Sequence, residues 1–364
     1  MNLAMALATE PNATDPGLWT DDEPLECCSV VPEAPDTATI SFVAPSGAQF
    51  RYRPGQFLTL ELPVPGGPVW RTYTISSSPS RPMGVSLTVK AQPGSIGTRW
   101  MLDHLRPGMR LRAKGPSGTF ALRPDARDKY LFLSAGSGVT PSVSMTTYLF
   151  DRGTGIDVVL VTCAKRPAEL VCRRTLELMA SRVPSIKLHF IVEQEDPFDV
   201  WTGYRGRLNQ IMLGAIAPDY LDRHVYCCGP EPFMKAVRDM LIALGFDMSR
   251  YFQESFTAPV HDEGEAPAID DFVPDPSHEA EVVFSASGVT AGCDETDTIL
   301  HVAKGAGLNI PSGCTFGVCG TCKVRKLSGE VHMVHSGGIS EEDIAEGYIL
   351  ACCSRPIGNV SLDV

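Results

Sequence analysis

Cys314-Thr-Phe-Gly-Val-Cys319-Gly-Thr-Cys322 constrains this chain more than any other stretch, and Cys352 follows after 29 further residues. Four thiolates in the order C-x4-C-x2-C…C have the spacing of a plant-type [2Fe–2S] site. Two irons and two sulfides need four soft, negatively charged ligands, which deprotonated cysteine supplies. Gly313, Gly317 and Gly320 let a loop close around such a group with no Cβ in the way. A structural zinc site also takes four cysteines, but it favours paired C-x2-C knuckles, and one short pair is present here. Cys353 adjoins Cys352 and is an alternative fourth ligand. His332 and His335 lie between the third and fourth cysteines. A Rieske centre would need histidine in place of two cysteines, and all four are present, so both are read as loop or strand residues.

The remaining chain must supply and remove the electrons of such a centre. Its 364 residues suggest two or three domains. No run of 18 apolar residues occurs, so no membrane span is expected. The first 20 residues lack the basic and apolar regions of a signal peptide. Twelve cysteines, several of them adjacent, then point to a reducing compartment, the cytoplasm, rather than to disulfides. Charge is uneven: residues 1–257 carry 26 groups of each sign, 258–278 carry six acidic and no basic groups, and 279–364 carry 11 acidic and five basic. The whole net charge of −12 therefore sits in the C-terminal third. Nucleic acid is a poor partner for that surface; a protein with a basic docking face suits it, and a merely solvating acidic face is the plainer reading.

Residues 1–24 show no periodicity and read as a mobile arm. From 25 to about 125, short β-type runs (Thr39–Val43, Gln56–Leu62, Gly84–Lys90, Met109–Ala113) are broken by Pro-Gly turns, the texture of an antiparallel β-barrel, with one helix near 97–105. From 126 to 257 the pattern alternates. Strands at Tyr130–Ser134, Asp157–Thr162, Lys187–Val192 and His224–Cys228 are each followed by a helix, near 141–151, 168–181, 207–215 and 232–244. That alternation means a parallel sheet with crossover helices. Residues 258–278 are acidic and proline-rich, an extended tether. Residues 279–364 open with Glu281–Phe284, reach a helix near 299–306, and then enter the cysteine loop. The fold class expected is thus a multidomain α+β chain.

Arg71-Thr-Tyr-Thr-Ile-Ser76 occupies a barrel strand. An aromatic ring beside an arginine and hydroxyls suits a flavin, although an ordinary barrel strand can read the same way. Ser95-Ile-Gly97-Thr98 opens a helix, an anion site fit for a pyrophosphate or a plain N-cap by Thr98. Gly136-Ser-Gly138-Val-Thr140-Pro141 follows the first parallel strand, and Cys228-Gly229-Pro230 ends a later one. Both lie at the carboxyl edge, where open α/β sheets bind ligands.

On these motifs residues 25–256 resemble the ferredoxin–NADP reductase superfamily: R-x-Y-T-x-S at 71–76, Thr88-Val-Lys90, G-x-G-x-x-P at 136–141 and C-G-P-x-P-F at 228–233. Residues 279–364 resemble a plant-type ferredoxin, a β-grasp domain, through Pro311-Ser-Gly-Cys314 and Gly347-Tyr-Ile-Leu-Ala-Cys352. The whole resembles the NAD(P)H-dependent flavin and iron–sulfur reductases of Rieske-type oxygenases, close to those of glycine-betaine-type demethylating systems. It is also similar to hybrid-cluster protein reductases, and a non-catalytic iron–sulfur carrier is a further alternative.

The resemblance implies FAD, a [2Fe–2S] cluster and a pyridine nucleotide. It places Arg71 at the FAD phosphate, Tyr73 on the flavin face and Thr74 near N5, with Thr72 among the cofactor-binding residues. Thr88, Val89 and Lys90 follow the flavin, and Ile96, Gly97 and Thr98 take the pyrophosphate. Gly136, Gly138, Thr140, Gly229 and Pro230 border the nucleotide, with Cys228 beside the nicotinamide and Glu254 and Phe256 closing over the flavin. In two-domain relatives that aromatic ends the chain; here a tether follows. Cys352 is favoured over Cys353, so the ligands are Cys314, Cys319, Cys322 and Cys352. Lys165 and Arg166 end the second parallel strand with no acidic neighbour to select NADH; two cations suit a 2′-phosphate. Relatives with arginine here use NADH, and NADH is the expectation.

Overall fold

Leu58, Leu60 and Leu62 are wholly buried, whereas Thr59 and Glu61 between them point the other way, the period of two that makes a half-buried strand. The computed structural model describes residues 17–123, 129–153, 155–196, 199–256, 278–313, 317, 319–335 and 338–364. The first domain comprises β1 (Leu25–Ala34), β2 (Thr37–Val43), β3 (Phe57–Leu62), β4 (Val69–Thr74), β5 (Val85–Lys90), α1 (Ile96–His104), β6 (Arg110–Leu111) and β7 (Ala113–Ser117). Two antiparallel sheets, β5-β2-β1-β6 and β4-β3-β7, curl around one core and join through the Ile75–Leu87 bridge.

The ordered domain begins before Leu25. Trp19 is 7% exposed, stacks on Phe50 and donates its indole N–H to the Glu23 carbonyl. The arm expected over 1–24 is therefore corrected for 17–24, because an indole of that size is more stable packed than solvated; residues 1–16 lie outside the described part.

The second domain runs β8 (Lys129–Ala135), α2 (Val139–Arg152), β9 (Asp157–Ala164), α3 (Arg173–Arg182), β10 (Ile186–Val192), β11 (Tyr204–Arg205), α4 (Gln210–Ile216), β12 (His224–Cys228), α5 (Glu231–Ala243) and β13 (Tyr251–Glu254). Its six strands form one sheet in the order β11-β10-β9-β8-β12-β13, with every pairing parallel. Apolar clusters cover both faces, as a parallel sheet with crossover helices requires. At the edge opposite the strand ends, fully buried Arg223 is neutralised by Asp219 and Asp157 and donates to the Tyr130 carbonyl. The pairing holds Asp219 down to about 2: its partners Arg223 and Lys129 outweigh burial, the largest single influence, which acts in the other direction.

The third domain holds β14 (Glu279–Phe284), β15 (Val289–Asp294), α6 (Ile299–Gly305), β16 (Lys323–Met333), α7 (Glu341–Ala345), β17 (Tyr348–Leu350) and β18 (Ser354–Leu362). Its mixed sheet is ordered β15-β14-β18-β16-β17, with β14 and β18 parallel and α6 packed on them. Except for His278, the tether expected over 258–278 lies outside the described residues. No helix among the described residues is long and apolar enough to cross a membrane.

Candidate active site

The barrel and the parallel sheet meet along a seam closed by Ser144, which donates to the Ser77 carbonyl, and by the Arg81–Asp151 and Lys90–Glu169 ion pairs. Where the carboxyl ends of β8, β9, β10 and β12 face β4 and β5, the seam opens into a cleft of about 1130 Å³. Single-ligand pockets span about 300–1,000 Å³, so the cleft has room for more than one small group.

On the barrel wall lie Arg71, Thr72, Tyr73 and Thr74 from β4, Thr88, Val89 and Lys90 from β5, and Thr98 from α1. Tyr73 shares a 3.1 Å hydrogen bond with Thr98, and burial pushes its phenol upward. On the sheet wall lie Gly136, Thr140, Gly229, Pro230 and Glu254, with Phe256, 44% exposed, at the rim. Gly136 sits at φ +57 in the turn that runs into α2, and nothing stands where its Cβ would be. The amide end of a 14-residue helix with no acidic residue in its first turn thus opens on the cleft, a favourable place for an anion.

Five residues named from sequence do not line this cleft. Ile96 borders a second cavity of about 550 Å³ beside Ser95 and Trp100. Gly97 is buried where a Cβ would come within 2.9 Å of Leu62 and 3.2 Å of Arg71, so it admits α1 to the barrel strands. The α1 cap is Ser95, not Thr98, and the buried Ser95 hydroxyl has no partner. Arg166 points away because successive residues of an extended chain face opposite ways; Lys165 is the one in the cleft. Gly138 is a packing glycine: a Cβ there would overlap the Cys228 carbonyl and lie 2.6 Å from the Gly229 nitrogen. Gly138→Ala is expected to cost about 1–3 kcal/mol, the usual toll of overpacking, read as an earlier midpoint in denaturant.

Cys228 ends β12 with its side chain 1% exposed. Burial, and secondarily the neighbouring Glu254 carboxyl, pushes its thiol well above the usual range. The sheet covers it on both sides, which sequence cannot reveal. Glu254 pairs with Cys228 across β12 and β13. Burial alone raises its carboxyl to about 8, and its Oε2 has no hydrogen-bond partner. An orphaned carboxyl at a cleft wall fits a ligand that supplies the missing partner.

Sequence reading missed Glu193, which follows β10 and lines the cleft. Its backbone N–H donates to the Ala164 carbonyl, and its carboxylate lies 3.4 Å from Arg207. The signal was its place immediately after a parallel strand, at the ligand-binding edge.

The cysteine loop lies against the same barrel wall. Gly313 borders the cleft, and a Cβ on it would fall 2.7 Å from Thr72 Oγ1, 2.8 Å from Thr59 Cγ2 and 3.2 Å from Cys319 Sγ. Cys319, Cys322 and Cys352 are 7%, 1% and 5% exposed, and the Cys352 amide donates to Cys322 Sγ at 3.4 Å. Cys314 lies outside the described residues. Gly317 and Gly320 take φ +74 and +69, which glycine adopts without strain. A Cβ on Gly317 would lie 2.8 Å from Cys353 Sγ, so Cys353 points to the Gly317 side of the loop. Its carbonyl accepts from Val334, 46% exposed. Buried thiols receiving an N–H bond suit a cluster that needs thiolates and donors to sulfur.

A barrel, a parallel sheet whose open carboxyl edge carries the amide end of α2, and a thiol loop bordering the cleft between them are the parts that a pyridine-nucleotide-dependent flavin and iron–sulfur oxidoreductase needs. Comparison with known proteins agrees. Residues 28–122 match the oxidoreductase FAD-binding domain, 132–239 the oxidoreductase NAD-binding domain and 283–356 the 2Fe-2S iron–sulfur cluster binding domain. The chain is 62% identical to the stachydrine N-demethylase reductase subunit Stc4 of Rhizobium meliloti, over 95% of this chain and 97% of that one. It is 44% identical to the glycine betaine monooxygenase reductase subunit of Pseudomonas aeruginosa, over 95% and 96%. The solved structure of phthalate dioxygenase reductase shares the fold, with a TM-score of 0.60 at 24% identity, covering 95% of this chain and all of that one.

The chain belongs to the family of FAD- and NAD-binding reductase subunits with a C-terminal 2Fe-2S domain. It is an oxidoreductase that takes electrons from a pyridine nucleotide through FAD to a 2Fe-2S cluster.

Proposed function

We propose that the chain is the cytoplasmic, NADH-dependent reductase of a Rieske-type oxygenase that demethylates a small quaternary ammonium compound such as glycine betaine or stachydrine. The observation that carries this reading is the position of Gly313. The cysteine loop borders the cleft that also gathers Tyr73, Gly136 and Glu254, so a nucleotide, a flavin and a cluster can lie in sequence. The names of the two relatives above support the nature of the partner and of its substrate.

When bound, FAD accepts a hydride and releases electrons singly, and the cluster carries them onward. The chain's residues hold and order these groups. Arg71 meets the phosphate chain, Tyr73 covers the ring and Thr74 approaches N5, while Thr72 lines the cleft where the cysteine loop meets it. Thr88, Val89 and Lys90 support the ring from β5, and Thr98 reaches the pyrophosphate from α1, while Gly97 lets α1 sit against the barrel strands and Ile96 faces the neighbouring cavity. Gly136, Thr140, Gly229 and Pro230 border the nicotinamide nucleotide. Gly138 and Cys228 act from behind, fixing the wall it rests on, and Arg166 supports Lys165. Glu254, protonated at neutral pH, keeps a proton at the wall, and Phe256 covers the rim. Cys314, Cys319, Cys322 and Cys352 hold the irons.

Anaerobic titration with NADH, then NADPH, tests this. Flavin bleaching followed by a ferredoxin-type EPR signal is expected, and formaldehyde should form when the partner oxygenase and glycine betaine or stachydrine are added. A protein holding zinc, or lacking acid-labile sulfide, overturns the reading.

Glu193 supports the choice of NADH, since its carboxylate, next to Lys165 at the cleft edge, repels a 2′-phosphate. Like charges brought together cost affinity. Glu193→Gln is expected to raise kcat/KM for NADPH about tenfold while changing that for NADH little, as steady-state rates with each nucleotide would show.

A further inference from the structure

β3 is apolar but for Thr59 and Glu61. Leu58, Leu60 and Leu62 fill the barrel core, so Thr59 faces outward, yet it is 2% exposed. What covers it is the iron–sulfur domain. Thr321, 262 residues away and next to Cys322, donates from Oγ1 to Thr59 Oγ1 at 3.4 Å. Thr59 Oγ1 in turn shares a 3.2 Å hydrogen bond with Thr72 Oγ1, its cross-strand partner on β4. Gly313 is wedged against the same two threonines on one side and against Cys319 Sγ on the other.

We propose that Thr59, Thr72 and Thr321 form a hydroxyl latch that seats the cysteine loop on the flavin-facing strand, with Gly313 the spacer that sets the gap. Thr59 and Thr321 are positioning residues: they act through where the loop sits. The inference rests on the electron path proposed above. With FAD and the cluster bound, each transfer would take one electron from reduced flavin and turn one ferric iron ferrous, with no atom crossing the interface. A buried hydroxyl chain whose members satisfy one another specifies one seating, because any slip leaves a polar group buried without a partner. The Thr321–Thr59 bond and the Gly313 contact join the iron–sulfur domain directly to the barrel.

Thr59→Val on the full-length holoprotein tests this, with Thr59→Ser as the conservative control and Thr321→Val as a second variant. Stopped-flow mixing with NADH separates flavin bleaching from cluster reduction, and hydrogen–deuterium exchange reads residues 57–62 and 319–323 independently of turnover. In Thr59→Val, flavin bleaching should keep its rate, cluster reduction should slow about fivefold, the population shift expected for one lost hydrogen bond, and exchange should rise in both segments. Thr59→Ser should restore both readouts. Unchanged exchange and cluster reduction in Thr59→Val and Thr321→Val overturn the latch, as does a loss confined to flavin bleaching, which would place Thr59 in the flavin pocket instead. Failure of the unmodified protein to reduce its cluster would count against the electron path, while the exchange data would still decide the seating.

Discussion

Cys352→Ser is expected to strip the protein of its iron–sulfur centre while leaving the flavin bound. Cys352 is buried, and its backbone amide donates to Cys322 Sγ; serine keeps that amide and removes only the sulfur of the proposed fourth ligand. Loss of even an outer partner costs a metal site about 10–100-fold; a direct ligand costs more. NADH-driven reduction of cytochrome c should therefore fall more than about 100-fold, whereas ferricyanide, which accepts from the flavin, should still be reduced. Iron and acid-labile sulfide analysis gives the stoichiometry directly. Cys353→Ser is the matched control: its sulfur lies toward Gly317 and its carbonyl accepts from Val334, so cluster content should stay at the parental level. A protein that loses its iron with Cys353→Ser and keeps it with Cys352→Ser would reassign the fourth ligand.

Glu254 should make the flavin-free protein less stable as pH rises. Burial lifts its carboxyl from 4.5 to about 8. Between those values the folded chain holds a proton that the unfolded chain has released, so stability falls with increasing pH through that window. Below 4.5 both states are protonated and the effect vanishes. Across the full window the loss approaches about 5 kcal/mol. Glu254→Gln, neutral at every pH, should match the parent near pH 4.5 and be more stable by about 4 kcal/mol at pH 8. Urea melts of both proteins from pH 4.5 to 9 isolate the difference, since every other titrating group is shared. Parallel profiles would place the carboxyl in water.

The chemistry of the molecule was more legible in its sequence than its contacts were. Ligand spacing in the cysteine loop, strand–helix alternation and the two glycine pinches are local patterns, and the domains and cofactors follow from them. What escaped depends on direction or distance. Lys165 and Arg166 are adjacent, and which one enters the cleft depends on the phase of β9. Cys228 reads as a sulfur at a ligand edge but is buried there, with β8 on one side of β12 and β13 on the other. Gly138 reads as a ligand glycine and serves to let Cys228 pass. β13 is four residues long, too short for a period to show, and only its pairing with β12 makes it a strand. The contact of Thr59 with Thr321 spans 262 residues, beyond any local pattern.

The thiol loop has two unlike sides. Gly313 meets the barrel, whereas Cys353 adjoins exposed Val334. A redox partner reaching the loop from the Val334 side would not have to evict the barrel. A relay built this way would serve successive customers without reopening its own joints.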